Sequence, residues 1–147
     1  MRYLKHTKNF GIIFRRKTGE ERDIFACVDS SFACENGSRS RFGYFFFFSG
    51  ALVSWTSSLS TRILTSSTEA ECHGLVQAGK ENTWMREFLK EMLGLNDRIP
   101  TMIFHDNKSA ISLSKGGTNH KRSGHFELEF NKFREYLLVN EIEIQYL

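Results

Sequence analysis

A chain of 147 residues, 40% hydrophobic and 25% charged, has the size and composition of one soluble globular domain with a single core. Eleven Gly and a lone Pro, Pro100, exclude a Pro-rich linker, a collagen-like repeat or a long disordered tail; three cysteines without a C-x-x-C spacing exclude a disulfide framework and point to a reducing compartment. The balance of 20 Lys+Arg against 17 Asp+Glu, net +3, permits a nucleic-acid partner without arguing for one.

Residues 1–22 are basic and mixed, with Tyr3, Leu4, Phe10, Ile12, Ile13 and Phe14 among Lys5, Lys8, Arg15, Arg16 and Lys17, and they predict a helical turn followed by a short strand. They hold no apolar stretch with a small-residue cleavage site, so no export signal is expected. Residues 24–33 are rich in strand formers and stop at the turn composition Glu35-Asn-Gly-Ser38, which makes them a first core strand with Asp29 inside it. Residues 42–48 and 51–55 read as two further strands joined by a tight Ser49-Gly50 turn, an antiparallel meander with the first. The run from 42 to 55 is too short and too interrupted for a membrane span. Within it, Phe45 to Phe48 could suggest a base-stacking platform, but alternation puts half of the run in the core and half under a covering helix or edge, so core packing is favoured.

The period then changes. Leu75, Ala78, Met85, Phe88, Leu89 and Met92 recur at three- and four-residue intervals up to Gly94, a long amphipathic helix opened by the capping-box spacing Ser66-Ser-Thr-Glu69. Glu69 is expected to reach back to the helix start, leaving Glu71 on the face that packs on the sheet. Residues 101–104 predict a fourth strand ending at His105-Asp106-Asn107, followed by a short helix through Ser114, a Gly116-Gly117 break, a helix over 126–139 and an alternating strand over 141–147. The order is β-β-β-α-β-α-α-β.

Three acids stand out by position: Asp29 within the first strand, Glu71 near the start of the long helix and Asp106 at the end of the fourth strand. Carboxylates meeting at one sheet edge repel one another unless hard cations such as Mg²⁺ neutralise them. Two such ions about 3.5–4 Å apart would serve phosphodiester hydrolysis. The alternative is a set of solvated strand-end and helix-start acids.

Val28-Asp-Ser-Ser-Phe-Ala33, Gly43-Tyr44, Leu52-Val-Ser-Trp55, Ser66-Ser-Thr-Glu-Ala-Glu71, Trp84-Met-Arg-Glu-Phe-Leu89, Asp106-Asn-Lys-Ser-Ala-Ile111 and His125-Phe-Glu-Leu128 together resemble the ribonuclease H region of copia-type (Pseudoviridae-like) retrotransposon Pol polyproteins. The resemblance spans nearly the whole chain, and Arg2-Tyr-Leu-Lys-His-Thr7 resembles the segment joining reverse transcriptase to that region. It implies an α/β ribonuclease H-like fold: a five-stranded mixed sheet, its first three strands antiparallel, flanked by helices. It implies that Asp29, Glu71 and Asp106 are catalytic metal ligands, with Mg²⁺ or Mn²⁺ as cofactor. The implied reaction is cleavage of the RNA strand of an RNA/DNA hybrid, with Ser67, Thr68, Asn107, Lys108 and Arg39 as candidate nucleic-acid contacts. Partners by resemblance are the hybrid and, in cis, reverse transcriptase and other Pol domains. The expected setting is intracellular, in cytoplasmic virus-like particles or the nucleus, with no membrane and no zinc.

Departures from the family pattern are Ser31 for a second aspartate, Lys108 for a glutamine and Glu127 for an aspartate. The resemblance divides the chain into a remnant of the reverse transcriptase connection, 1–22, and a ribonuclease H-like domain, 23–147, without its C-terminal helix. The fourth metal-ligand carboxylate is expected on that helix, so the second reading is a catalytically impaired remnant or a host-adopted nucleic-acid-binding or interaction module. Bland roles are favoured elsewhere. His120 and His125 lack the partners of a zinc site. Arg41, Lys121 and Arg122 are ordinary loop charges that could touch phosphates. An integrase-like arrangement using Glu141 is disfavoured because Glu141 opens a strand where that class needs a helix.

Overall fold

Alternating burial builds the sheet. In a computed structural model, β1 (Ile24–Glu35) buries Ile24, Ala26 and Val28 and turns Phe25 and Cys27 to the opposite face. The structure describes residues 2–14, 23–35, 37–94, 99–116 and 124–147, with the side chains of 124–129 left aside. β2 (Arg39–Phe48) pairs antiparallel with β1, and β3 (Ala51–Leu59) antiparallel with β2. The hairpin between them turns on Ser49 (φ 49°) and Gly50 (φ 77°), the two positive-φ positions of a type I′ turn, whose twist matches that of the flanking strands. β4 (Thr101–His105) runs parallel to β1 on its other side, and β5 (Ile142–Tyr146) runs parallel to β4, giving the order β3-β2-β1-β4-β5. This is the expected five-stranded mixed sheet with its first three strands antiparallel.

Helix α2 (Ser67–Leu93) lies across β1 and β2, while α3 (Lys108–Ser114) and α4 (Gly124–Leu138) pack beside it and against β5. The core forms where α2, through Leu75, Ala78, Met85 and Leu89, meets Ala26, Val28, Phe46 and Ile103 of the sheet, closed at one side by Phe130 and Phe133 of α4. α2 and α4 come close because Gly79 carries no side chain: a Cβ there would sit 3.0 Å from the Phe133 ring and 3.1 Å from that of Tyr136. Gly94, in the left-handed region at φ 62°, ends α2 and donates to the Leu89 and Lys90 carbonyls.

At the front, α1 (Arg2–Thr7) is a helix with no buried residue. The strand expected after it is absent from residues 10–14, where Phe10, Ile13 and Phe14 are exposed and no strand among the described residues pairs with them; the remainder of that expectation, 15–22, lies outside the described residues. Cys27, Cys34 and Cys72 are all free. Among the described residues no helix is long and apolar enough to cross a membrane.

Candidate functional site

Register brings the acids together. β1 and β4 run parallel with Val28 opposite His105, so Asp29 and Asp106, each the next residue, stand side by side at the same end of the sheet. Asp106 occupies the bend that closes β4, where the carboxyl ends of parallel strands offer a crevice. Asn107 then caps α3, its side chain accepting from the Ala110 amide at 3.0 Å, and this turn holds Asp106 at the lip.

Glu71 reaches the same place from α2. Its helix can settle this closely on β1 because of Gly74: a Cβ there would fall 2.5 Å from Ser30 Oγ and 3.3 Å from Val28 Cγ1. The start of α2 is pinned by Ser66, which accepts from the Glu69 amide at 3.1 Å. Glu69 in turn accepts from the Thr65 amide at 2.7 Å and the Thr65 hydroxyl at 2.6 Å, one residue earlier than a capping box would place it. Glu69 is thereby committed to the cap, and Glu71, one turn into the helix, is buried at 9% exposure.

Among the described residues, one ligand atom each from Glu71, His105 and Asp106 lie within 4.8 Å of one another. Asp29 is outside that group. Alternation along β1 places it on the opposite parity to the buried Val28, and it stays exposed with its Oδ1 accepting from the Ser30 amide at 2.8 Å. Its charge is nevertheless felt. The Glu71 carboxyl is pushed up to about 7, first by burial and then by the negative charges of Asp29 and Asp106, while Ser30 pulls it the other way. That pull does not satisfy the site: by hydrogen-bond geometry neither the Ser30 hydroxyl nor Glu71 Oε2 has a partner among the described residues. A buried carboxylate with an unsatisfied oxygen, facing two further acids, has the chemistry of a cation site built from oxygen donors.

His105 carried no weight in the sequence. It is the last residue of β4, 1% exposed, with Nδ1 3.0 Å from the Val28 carbonyl and Nε2 3.8 Å from Glu71 Oε2. The available signal was parity: Thr101, Ile103 and His105 share the buried face of β4, so a histidine there is delivered to the inner side of the site.

The candidate nucleic-acid contacts are dispersed around this edge. Ser67 and Thr68 sit in the first turn of α2, before Glu71, and Asn107 and Lys108 follow Asp106. Lys108 Nζ lies 4.7 Å from the centroid of the Tyr146 ring on β5. Arg39 is spent structurally, Nε and Nη2 both donating to the Ser60 carbonyl at 2.8 and 2.6 Å. Arg41 pairs with Glu35 at 3.0 Å. Lys121, Arg122 and His120 fall outside the described residues, as do the side chains of His125 and Glu127. Glu141 lies just ahead of β5 and in no helix.

No family model matches the chain. It is 35% identical over 136 residues, 92% of its length, to the retrovirus-related Pol polyprotein from transposon TNT 1-94 of Nicotiana tabacum, of which it spans 10%. The chain thus spans about one tenth of the length of the curated relatives it matches. Among solved structures it is similar to RNase H1 from the archaeon Halobacterium salinarum NRC-1, with TM-score 0.61, 14% identity and 85% of each chain covered. It is also similar to LC11-RNase H1 in complex with an RNA/DNA hybrid, with TM-score 0.59, 13% identity and 85% of each chain covered.

Proposed function

From a ribonuclease H fold in a chain homologous to a segment of plant retrotransposon Pol polyproteins, we propose that this protein hydrolyses the RNA strand of RNA/DNA hybrids with the help of divalent cations. The observation that carries the reading is Glu71: a buried carboxyl, one oxygen unpartnered, beside Asp106 and within reach of the charge of Asp29. Carboxylates are not brought together at a cost of this kind for packing, because apolar side chains of the same volume would fill the space without repulsion. Their donor set fits Mg²⁺ or Mn²⁺, which take oxygen ligands.

Asp29, Glu71 and Asp106 would hold the cations. Cations held there would supply activation of a water and charge stabilisation at the departing oxygen of a phosphodiester. The protein's own contribution is position. β1 and β4 fix Asp29 and Asp106 at one sheet end, and α2, held close by Gly74, brings Glu71 over them. Ser67, Thr68, Asn107 and Lys108 flank the carboxylates in sequence and would be the side chains to meet a sugar-phosphate backbone. Such contacts would fix the register of a duplex without reading its sequence. Arg39, tied to Ser60, would act by shaping the loop that follows β3. LC11-RNase H1 with its bound hybrid supports the choice of substrate class.

The test is cleavage of an end-labelled RNA/DNA hybrid in Mg²⁺ and in Mn²⁺ by the full chain and by Asp29→Asn, Glu71→Gln and Asp106→Asn. Wild type should cut the RNA strand alone, and the substitutions should reduce cutting to background while leaving the fold intact. Equal inactivity of all four with hybrid binding retained would overturn the hydrolytic reading in favour of a binding module.

A further inference from the structure

The cluster at the sheet edge contains a nitrogen. His105 is almost fully buried, and its backbone is clamped at the last rung of the sheet, its carbonyl accepting from the Leu147 amide at 3.1 Å. The ring is fixed from the other side by the 3.0 Å contact between Nδ1 and the Val28 carbonyl. A carbonyl oxygen only accepts, so Nδ1 carries the hydrogen of this bond. In the neutral ring Nε2 is then left with its lone pair.

Among the described residues Nε2 has no hydrogen-bond partner, and neither does Glu71 Oε2, 3.8 Å away. That separation is too long for a hydrogen bond. It is an ordinary distance between two ligands of one ion. A buried lone pair facing a buried carboxyl oxygen across such a gap calls for something positive between them, a proton on one of the two or a cation that both bind. The Nδ1–H to backbone carbonyl contact is also the outer arrangement that metal-ligating histidines use to fix tautomer and ring orientation.

We propose that His105 Nε2 is a direct ligand of the cation held by Glu71 and Asp106, and that this imidazole makes the site prefer Mn²⁺ over Mg²⁺. The inference rests on the reading of this edge as a cation site. Imidazole binds later first-row ions in preference to Mg²⁺, which keeps to oxygen donors and to its own waters. A site formed by Glu71 and Asp106 alone would lack that bias.

Mn²⁺ bound to the full chain, read by pulsed electron paramagnetic resonance, reports directly coordinated nitrogen. Wild type should show ¹⁴N coupling that changes to the ¹⁵N pattern when only histidine is ¹⁵N-labelled, which needs no substitution at a buried position. In calorimetric titrations, His105→Gln and His105→Ala should weaken Mn²⁺ binding about tenfold or more, since loss of an outer partner of a ligand already costs that much. Mg²⁺ binding should change far less. Mn²⁺ bound without histidine nitrogen coupling overturns the proposal while the cation site stands. Failure to bind Mn²⁺ or Mg²⁺ at all overturns the cation-site reading together with the proposal, so whether Mn²⁺ binds tells the two failures apart.

Discussion

At the scale of single residues, Glu71 is the most consequential side chain. Its carboxyl rests near 7 in the folded chain against 4.5 when unperturbed, raised by burial and then by Asp29 and Asp106. The folded state therefore holds a proton that the unfolded state has released between those two values. Stability from this group is fully present below about pH 4.5 and is lost as pH rises toward about 7, a loss on the order of 2–3 kcal/mol in the cation-free protein. The informative quantity is the difference between wild type and Glu71→Gln, which isolates this group. With a chelator present, urea unfolding should give Glu71→Gln a relative gain at pH 8 that shrinks toward pH 5. A difference that stays constant across that range would show that Glu71 is not under this strain. The sequence singles out Asp29, Glu71 and Asp106 because each stands inside a recognisable string, and the structure groups Glu71 and Asp106 with His105. His105 was not legible there, since a histidine at a strand end looks like any other until the register shows it on the inner face beside Glu71.

At the scale of elements, α2 carries the site, and its first turn carries α2. Ser66 caps the helix through the Glu69 amide, and Glu69 ties down Thr65. Ser66→Ala should cost about 1 kcal/mol, a fall in Tm of about 2 to 4 °C for a chain of this length. Because the same turn sets where Glu71 emerges, hybrid cleavage should fall further than the stability loss explains, at temperatures well below the transition. A pure stability defect, with cleavage unchanged in the cold, would separate the cap from the site. The sequence pattern placed this helix, its cap and its Gly94 stop correctly, because Ser-x-x-Glu spacing and a helix-ending glycine are local signals. It predicted a strand near the front where residues 10–14 have none. Apolar, β-branched residues suggest a strand, but a strand needs a neighbour to pair with, and among the described residues no strand of the sheet pairs with 10–14.

At the scale of the whole molecule, the sheet has two faces with different fates. The helices cover Ala26, Val28, Phe46 and Ile103. The opposite face carries Phe25 stacked on Phe47 at 4.7 Å, with Phe45 and Phe104 edge-on to them, and Trp55 exposed on the edge strand opposite Phe45. Neighbours in the Phe45 to Phe48 run therefore differ sharply. Phe46 is 0% exposed and Phe45 44%. Phe46→Ala should cost about 3–5 kcal/mol by opening a cavity under α2. Phe45→Ala, already half in water, should cost about 1 kcal/mol. Denaturant midpoints of the two variants measure the contrast, and similar losses would mean that both faces are equally closed in solution. A further pair, Phe45→Lys with Trp55→Lys, should lower the unfolding midpoint, because the two lysines then face each other across β2 and β3, and should still reduce concentration-dependent light scattering of the folded chain. An uncovered aromatic patch promotes self-association, and charge at its centre opposes it.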